Sequence, residues 1–301
     1  MRKRFVLGLV AVILLVATAE LGLQLLALRA RAGFTSERGG GVSDDALRIL
    51  CVGDSHTYGA SIPREGAYPH QLEARLASRL APRPVSVVNG GFPGINTAFV
   101  ALRLEQRIAE TRPHIVLIWA GTNNRWNRLE TDSWENGGFA SRIERVLLHS
   151  KLYRLAKVLR ETDSTGPETD PDAPIPTADG MPWERRAQEL ADAELARGTR
   201  HDMEAMVETT RAAGVPIVFI TYPLADMADI NALVAHNAHE LGAPVVATAH
   251  DYARARRAGH AHPELIIYAS GPHPTGLLYG YVAESLEQVV VDQLGLDPAS
   301  D

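Results

Sequence analysis

Leu50-Cys51-Val52-Gly53-Asp54-Ser55-His56-Thr57-Tyr58-Gly59 is the stretch on which the fold turns. Its apolar start reads as the end of a strand, Arg48–Val52, and Gly-Asp-Ser as the turn that closes it. Open α/β sheets bind ligands outside the carboxyl ends of their strands. The turn therefore presents the Ser55 hydroxyl where a site is expected. Cys51, the single cysteine of the chain, falls inside this strand. It excludes an intramolecular disulfide and reads as a buried, inert thiol.

Working outward, strand and helix patterns alternate. Tyr68–Leu80 carries Leu72, Leu76 and Leu80 at helical spacing. Val85–Asn89 reads as a second strand, Asn96–Ala109 as a helix, and His114–Ala120 as a continuous apolar strand of the kind covered on both faces. Pro216–Tyr222 and Pro244–Ala247 read as further strands, with Ala225–Leu241 and Leu277–Leu294 as helices. Such alternation predicts an α/β fold with a doubly wound parallel sheet. Residues 125–213 interrupt it. Phe139–Arg160 and Trp183–Ala213 read as helices around a loop, Glu161–Pro182, rich in Asp, Thr and Pro. This helical insertion is expected either as a lid over the site or as a surface hairpin. Trp126 and Trp134 at its start either line a pocket or pack it, whereas Trp119 reads as core.

The chain has 301 residues, 46% of them hydrophobic, enough for one sizeable core. A net charge of −6 leaves no basic field for nucleic acid, so that partner is excluded. Met1-Arg-Lys-Arg4 precedes an apolar stretch, Phe5–Leu28, broken by Glu20. About 20 such residues span a bilayer, and the basic start orients the N-terminus to the cytoplasm. Residues 1–31 are thus expected as a transmembrane signal anchor, 32–45 as a linker, and 46–296 as an extracytoplasmic domain in the periplasm or at the cell surface. The competing expectation is secretion after cleavage near Ala17-Thr-Ala19.

Four segments carry the chemistry: Gly53-Asp-Ser55, Val88-Asn-Gly-Gly-Phe-Pro-Gly94, Ala120-Gly-Thr-Asn-Asn124 and Gly271-Pro-His-Pro274. A hydroxyl nucleophile needs a base, and His273 is the candidate. A tetrahedral oxyanion needs preorganised donors. The Ser55 N–H, the Gly94 N–H and the Asn123 side chain are the candidates. His236, His239, His260 and His262 lack the partner spacing of a metal site, so no metal and no cofactor is expected.

These blocks, in this order, resemble the SGNH/GDSL hydrolase superfamily, named for the Ser, Gly, Asn and His that match Ser55, Gly94, Asn123 and His273. The resemblance spans Leu47 to Leu294. It implies a flavodoxin-like three-layer sandwich and metal-free ester hydrolysis by a serine nucleophile. Two positions depart from the pattern. Ser270 stands where the family places an acid three residues before its histidine, and Asn124 stands where it places an acid after its asparagine. Three outcomes follow for the first departure. A backbone carbonyl or the Ser270 hydroxyl orients His273; an acid from elsewhere, Asp251 or Glu264, takes the place; or catalysis is weak and the domain mainly binds. The expected function is a membrane-anchored serine esterase acting on acylated carbohydrate, such as O-acetyl groups of envelope polysaccharide, or on lipid esters. An O-acyltransferase using the same site and a non-catalytic polysaccharide-binding domain are the alternatives.

Overall fold

The computed structural model describes residues 45–125, 193–269 and 271–296, together with residues 11, 14–26, 127, 131, 147, 150–153 and 156. Five strands form one sheet: β1 (Leu47–Gly53), β2 (Val85–Gly91), β3 (Ile115–Trp119), β4 (Ile217–Ile220) and β5 (Val245–Val246), in the order β2-β1-β3-β4-β5. All neighbouring pairs are parallel. This is the flavodoxin-like strand order, with its switch point between β1 and β3. Ile49, Leu50 and Cys51 of β1 and every residue of β3 are buried, as expected of central strands covered on both faces.

The register sets the site. Gly53, the last residue of β1, pairs with Gly91 at the end of β2 and with Trp119 at the end of β3. Three of the four chemistry-bearing segments therefore leave the sheet side by side. Gly53 cannot carry a side chain here, because a Cβ would fall 2.0 Å from the Trp119 carbonyl oxygen and 2.4 Å from Thr57 Oγ1.

The helices form two layers. On one face α2 (Tyr68–Arg79) packs against α8 (Gly276–Leu294), which also meets α6 (Thr248–Arg257). On the other, α3 (Thr97–Thr111) packs on α4 (Ala193–Ala212), and α4 on α5 (Ala228–Glu240). The short α1 (Ser55–Tyr58) and α7 (His262–Leu265) lie in the loops of the rim, and a two-stranded antiparallel hairpin, β6 (Ile266–Ile267) with β7 (His273–Pro274), stands apart from the main sheet.

Two expectations change. The stretch Ala193–Ala212, read as the end of the insertion at 125–213, is the crossover helix between β3 and β4. Its Leu195, Met203, Met206 and Val207 are buried in the main core, so it belongs to the doubly wound body. The elements α6, α7, β6 and β7 follow β5, where no helix or strand was read before the closing helix. They are short and their apolar residues sparse, so periodicity marks them weakly. The expected helix Phe139–Arg160, the loop Glu161–Pro182, and Trp126 and Trp134 lie essentially outside the described residues, as does most of the linker 32–45. Trp119 and Cys51 are fully buried, as read.

Residues 14–26 are helical, with Leu14, Leu15, Val16, Leu21, Leu25 and Leu26 exposed. Among the described residues no helix is long and apolar enough to cross a membrane. The remainder of the stretch Phe5–Leu28 lies largely outside them. Glu20 does not project freely from this helix. Its carboxylate accepts from the backbone N–H of Lys151 (2.7 Å) and Leu152 (3.0 Å), from Ser150 Oγ (2.9 Å) and from Gln24 Nε2 (2.7 Å). It thus occupies the start of the helical segment 151–153, where an anion suits the unpaired N–H groups and the helix dipole.

Candidate active site

The turn after β1 is built locally. Asp54 caps α1, its Oδ1 accepting the His56 N–H at 2.9 Å. A serine at a helix start is often only a cap. Here Asp54 takes that role, and Ser55 is the first helical residue with its hydroxyl left for other use. The Asp54 N–H donates to the Trp119 carbonyl (3.0 Å) and the Phe92 N–H to the Gly53 carbonyl (2.8 Å), fastening the turn to both neighbouring strands.

His273 reaches Ser55 from 218 residues away. Its Nε2 lies 2.7 Å from Ser55 Oγ and its Nδ1 lies 2.9 Å from the Gly271 carbonyl oxygen. A carbonyl can only accept, so Nδ1 carries the proton and Nε2 is the acceptor for the Ser55 hydroxyl. The backbone thus selects the tautomer a general base needs. Burial pushes His273 below its ordinary imidazole value, His56 adds to this, and the Gly271 carbonyl and Asp54 act in the opposite sense. His273 is therefore neutral at pH 7 and able to take a proton.

The other acids considered for His273 lie elsewhere. Asp251 is buried between α6 and α8, bonded to Ser285 Oγ (2.5 Å) and Arg254 Nη2 (3.2 Å). Glu264 Oε2 accepts the Ala261 N–H at 2.6 Å and closes the first turn of α7. Neither touches His273: Asp251 joins α6 to α8, and Glu264 serves the start of its own helix. Ser270 lies outside the described residues. The group facing Nδ1 is the Gly271 carbonyl.

The oxyanion candidates are tied to one another. Asn123 Nδ2 donates to the Ile95 carbonyl (2.8 Å), and Asn127 Nδ2 donates to the Gly94 carbonyl (2.7 Å). The Gly94 turn and the Asn123 turn therefore form one unit, with Gly94 at φ +79°, a conformation glycine adopts without strain. No hydrogen bond among the described residues occupies the backbone N–H of Ser55 or of Gly94.

Asn124, the second departure from the family pattern, is structural. It is fully buried. Its Oδ1 accepts the Thr97 N–H (3.0 Å) and its Nδ2 donates to Thr97 Oγ1 (2.8 Å) and Thr199 Oγ1 (2.9 Å). Thr97 Oγ1 already donates to Asp202 at 2.5 Å, so it can accept but not donate again. An amide meets this demand, and a carboxylate does not.

Two site residues were not legible. His56, the chain neighbour of Ser55, lies with its ring 4.8 Å from that of His273, tilted by 34°. Tyr222, two residues past β4, donates its hydroxyl to Asp54 Oδ2 at 2.6 Å and accepts the Thr122 N–H at 3.0 Å. It was the last letter of the apolar run Pro216–Tyr222, and only its place at the carboxyl end of a strand hinted at a rim role. His262, weighed as a metal ligand, has its two nitrogens at Tyr252 Oη (2.6 Å) and Tyr268 Oη (3.0 Å).

A serine and a backbone-oriented histidine at the carboxyl rim of a flavodoxin-like sheet define the class: a serine hydrolase of acyl groups. The chain belongs to the GDSL-like lipase/acylhydrolase family, whose model matches residues 51–279, and it is an SGNH-type ester hydrolase. Among solved structures, it resembles a family 3 carbohydrate esterase from Clostridium thermocellum at 13% identity, over 84% of this chain and 100% of that one, with a TM-score of 0.50. It also resembles an acetylxylan esterase from Geobacillus stearothermophilus (16% identity, 85% and 97% covered, TM-score 0.48). A third is a G-D-S-L family lipolytic protein from Desulfitobacterium hafniense (14%, 81% and 99%, TM-score 0.48). At such identities the likeness concerns the fold. Among curated proteins none matches.

Proposed function

We propose that this protein is a membrane-anchored serine esterase whose catalytic domain works outside the cytoplasm, removing small acyl groups such as O-acetyl from envelope polysaccharide, or cleaving lipid esters. The observation that carries the chemistry is the Ser55 Oγ–His273 Nε2 contact of 2.7 Å with Nδ1 held on the Gly271 carbonyl. In this reading Ser55 Oγ attacks the ester carbonyl carbon while His273 Nε2 takes its proton. The tetrahedral oxyanion is held by the Ser55 and Gly94 N–H groups and the Asn123 amide. The C–O bond to the leaving alcohol then breaks, and His273 returns the proton to that oxygen. Water, deprotonated by His273, cleaves the Ser55 acyl-enzyme in the same way.

The anchor is supported by the basic N-terminus, the exposed leucines of residues 14–26, and the treatment of Glu20. The one acid of the apolar stretch is paired with a helix start rather than left facing outward. An unpaired carboxylate would oppose membrane residence; one whose oxygens are occupied opposes it less. The polysaccharide substrate is supported by the extracytoplasmic location proposed for the domain. Tyr268 also offers a substrate contact. It is one residue beyond Ile267, the strand partner of His273, and is 59% exposed with its hydroxyl braced by His262.

The test is hydrolysis of p-nitrophenyl acetate, butyrate and octanoate by the full chain in detergent. Ser55→Ala and His273→Ala are each expected to lower kcat by about a thousandfold or more. The acid limb of kcat/KM should fall below 6.5, since burial lowers the His273 value. Acetate as the preferred ester fits polysaccharide deacetylation, and octanoate fits lipid cleavage. Full activity in Ser55→Ala would remove the reading.

A further inference from the structure

The Gly271 carbonyl holds the tautomer of His273, but it carries no full charge to balance the imidazolium that forms when Ser55 gives up its proton. In serine hydrolases with a buried aspartate, that residue does both jobs. The position three residues before His273 is Ser270, so the counter-charge must come from elsewhere. Among the described residues, one fully buried carboxylate lies beside the pair.

Asp54 is 0% exposed, and both its oxygens are engaged. Oδ2 accepts the Tyr222 hydroxyl at 2.6 Å; Oδ1 accepts the His56 N–H at 2.9 Å and lies 3.3 Å from His56 Nδ1. A carboxylate cannot donate, so His56 turns an N–H of its ring toward it. The opposite nitrogen of that ring, Nε2, is buried without a hydrogen-bond partner among the described residues. The ring is clasped by Tyr222 edge-on at 4.8 Å, by Trp119 at 5.3 Å and by His273 at 4.8 Å. A helix cap alone would need one carboxylate oxygen. Here a tyrosine from the end of another strand fixes the second oxygen, and an imidazole fills the space between this carboxylate and the base.

We propose that Asp54, acting across the intervening ring of His56, is the positioning residue that balances the positive charge forming on His273, in place of the acid missing at Ser270. This inference rests on the serine-esterase reading above. His56 is the spacer, its ring filling the gap between the carboxylate and the base, 4.8 Å from that of His273. The effect reaches His273 because the intervening space is filled by rings rather than water, and charges screen one another little in such surroundings. Of the other titratable groups around the pair, Tyr222 and Tyr279 are held in their neutral form by burial; Asp226, whose carboxyl desolvation pushes above its ordinary value, acts on His56; and His56 itself opposes a positive charge on His273. The strand opposite, β6, contributes only Ile266 and Ile267.

The experiment compares wild-type full chain with Asp54→Asn and Asp54→Ser, which keep a good helix cap without the charge, and with Asp54→Glu, which keeps the charge. Both neutral variants should lose about 10- to 100-fold in kcat with KM little changed. That is less than for a protease stripped of its acid, because Gly271 still holds the tautomer. In both, the acid limb of kcat/KM should move to lower pH, since removing a negative charge favours neutral His273. Asp54→Glu should return the limb toward the wild-type position. The His273 imidazole, followed by NMR in a Ser55→Ala background, should titrate at lower pH in the neutral variants. That readout needs no catalysis, so it decides this inference even if Ser55→Ala retains hydrolysis and the esterase reading fails. Neutral variants that melt lower but keep the wild-type pH profile and His273 titration would reduce Asp54 to a structural brace and overturn the proposal.

Discussion

The rim around Ser55 and the interface between α6 and α8 each bury an aspartate, and the two are treated differently. Asp54 is 0% exposed and Asp251 2%. At the rim, Tyr222 and the His56 N–H meet the two oxygens of Asp54. At the interface, Ser285 and Arg254 meet only Oδ1 of Asp251, and Oδ2 is buried with no hydrogen-bond partner among the described residues. Burial pushes Asp251 up to about 6, against the smaller opposing effects of Ser285 and Arg254. Equal burial therefore does not imply equal accommodation; the donors reaching the second oxygen decide it. The rim is furnished for a carboxylate, and the interface tolerates one.

This contrast can be broken at the rim and sharpened at the interface. The largest effect is expected from Gly53→Ala. The added Cβ would meet the Trp119 carbonyl oxygen, a backbone atom that also accepts the Asp54 N–H. Either β1 and β3 separate or the turn that carries Ser55 moves. A loss of about 4 kcal/mol or more in urea unfolding is expected, and a variant that unfolds with wild-type midpoint and slope would contradict the close packing described. Next is Asn124→Asp. It removes the amide donor to Thr97 and Thr199 and buries a charge, for an expected cost of about 2–3 kcal/mol. The cost should be greater at pH 8 than at pH 5, where the new acid can protonate; the check is the unfolding free energy at both.

The smallest effect is of opposite sign. Asp251 has a folded value near 6, raised above its ordinary 3.8. Its contribution to stability is therefore fully present below about 3.8 and is lost as pH rises through about 6. Asp251→Asn, which resembles the protonated form, should match wild type near pH 4 and exceed it by about 1–2 kcal/mol at pH 8. A melting-temperature difference that does not grow over this range would show the carboxylate to be better solvated than its surroundings indicate.

Much of the fold was readable because its signals are local. Continuous apolar runs such as Ile115–Trp119 occur where a strand is covered on both faces, and Leu72 and Leu76 fall one turn apart on a helix that buries one side. The short elements after β5 were not readable, since two-residue strands carry too little pattern. Ala193–Ala212 was recognised as helical but assigned to the insertion. Which helix covers the sheet depends on what Met203, Met206 and Val207 pack against, and no local pattern records that.

The sequence by itself determined the doubly wound α/β class, the Gly-Asp-Ser turn and the four blocks that place the chain in its family, because turn chemistry and hydrophobic period act over a few neighbouring residues. Only the tertiary structure decided which atom orients His273, why position 124 is an amide, and how Tyr222 and His56 bear on Asp54. Each of those depends on a hydrogen bond or ring contact between residues in separate segments. Such contacts are set by where parallel strands end relative to one another, and the register of Gly53 with Gly91 and Trp119 becomes visible only when the sheet is assembled.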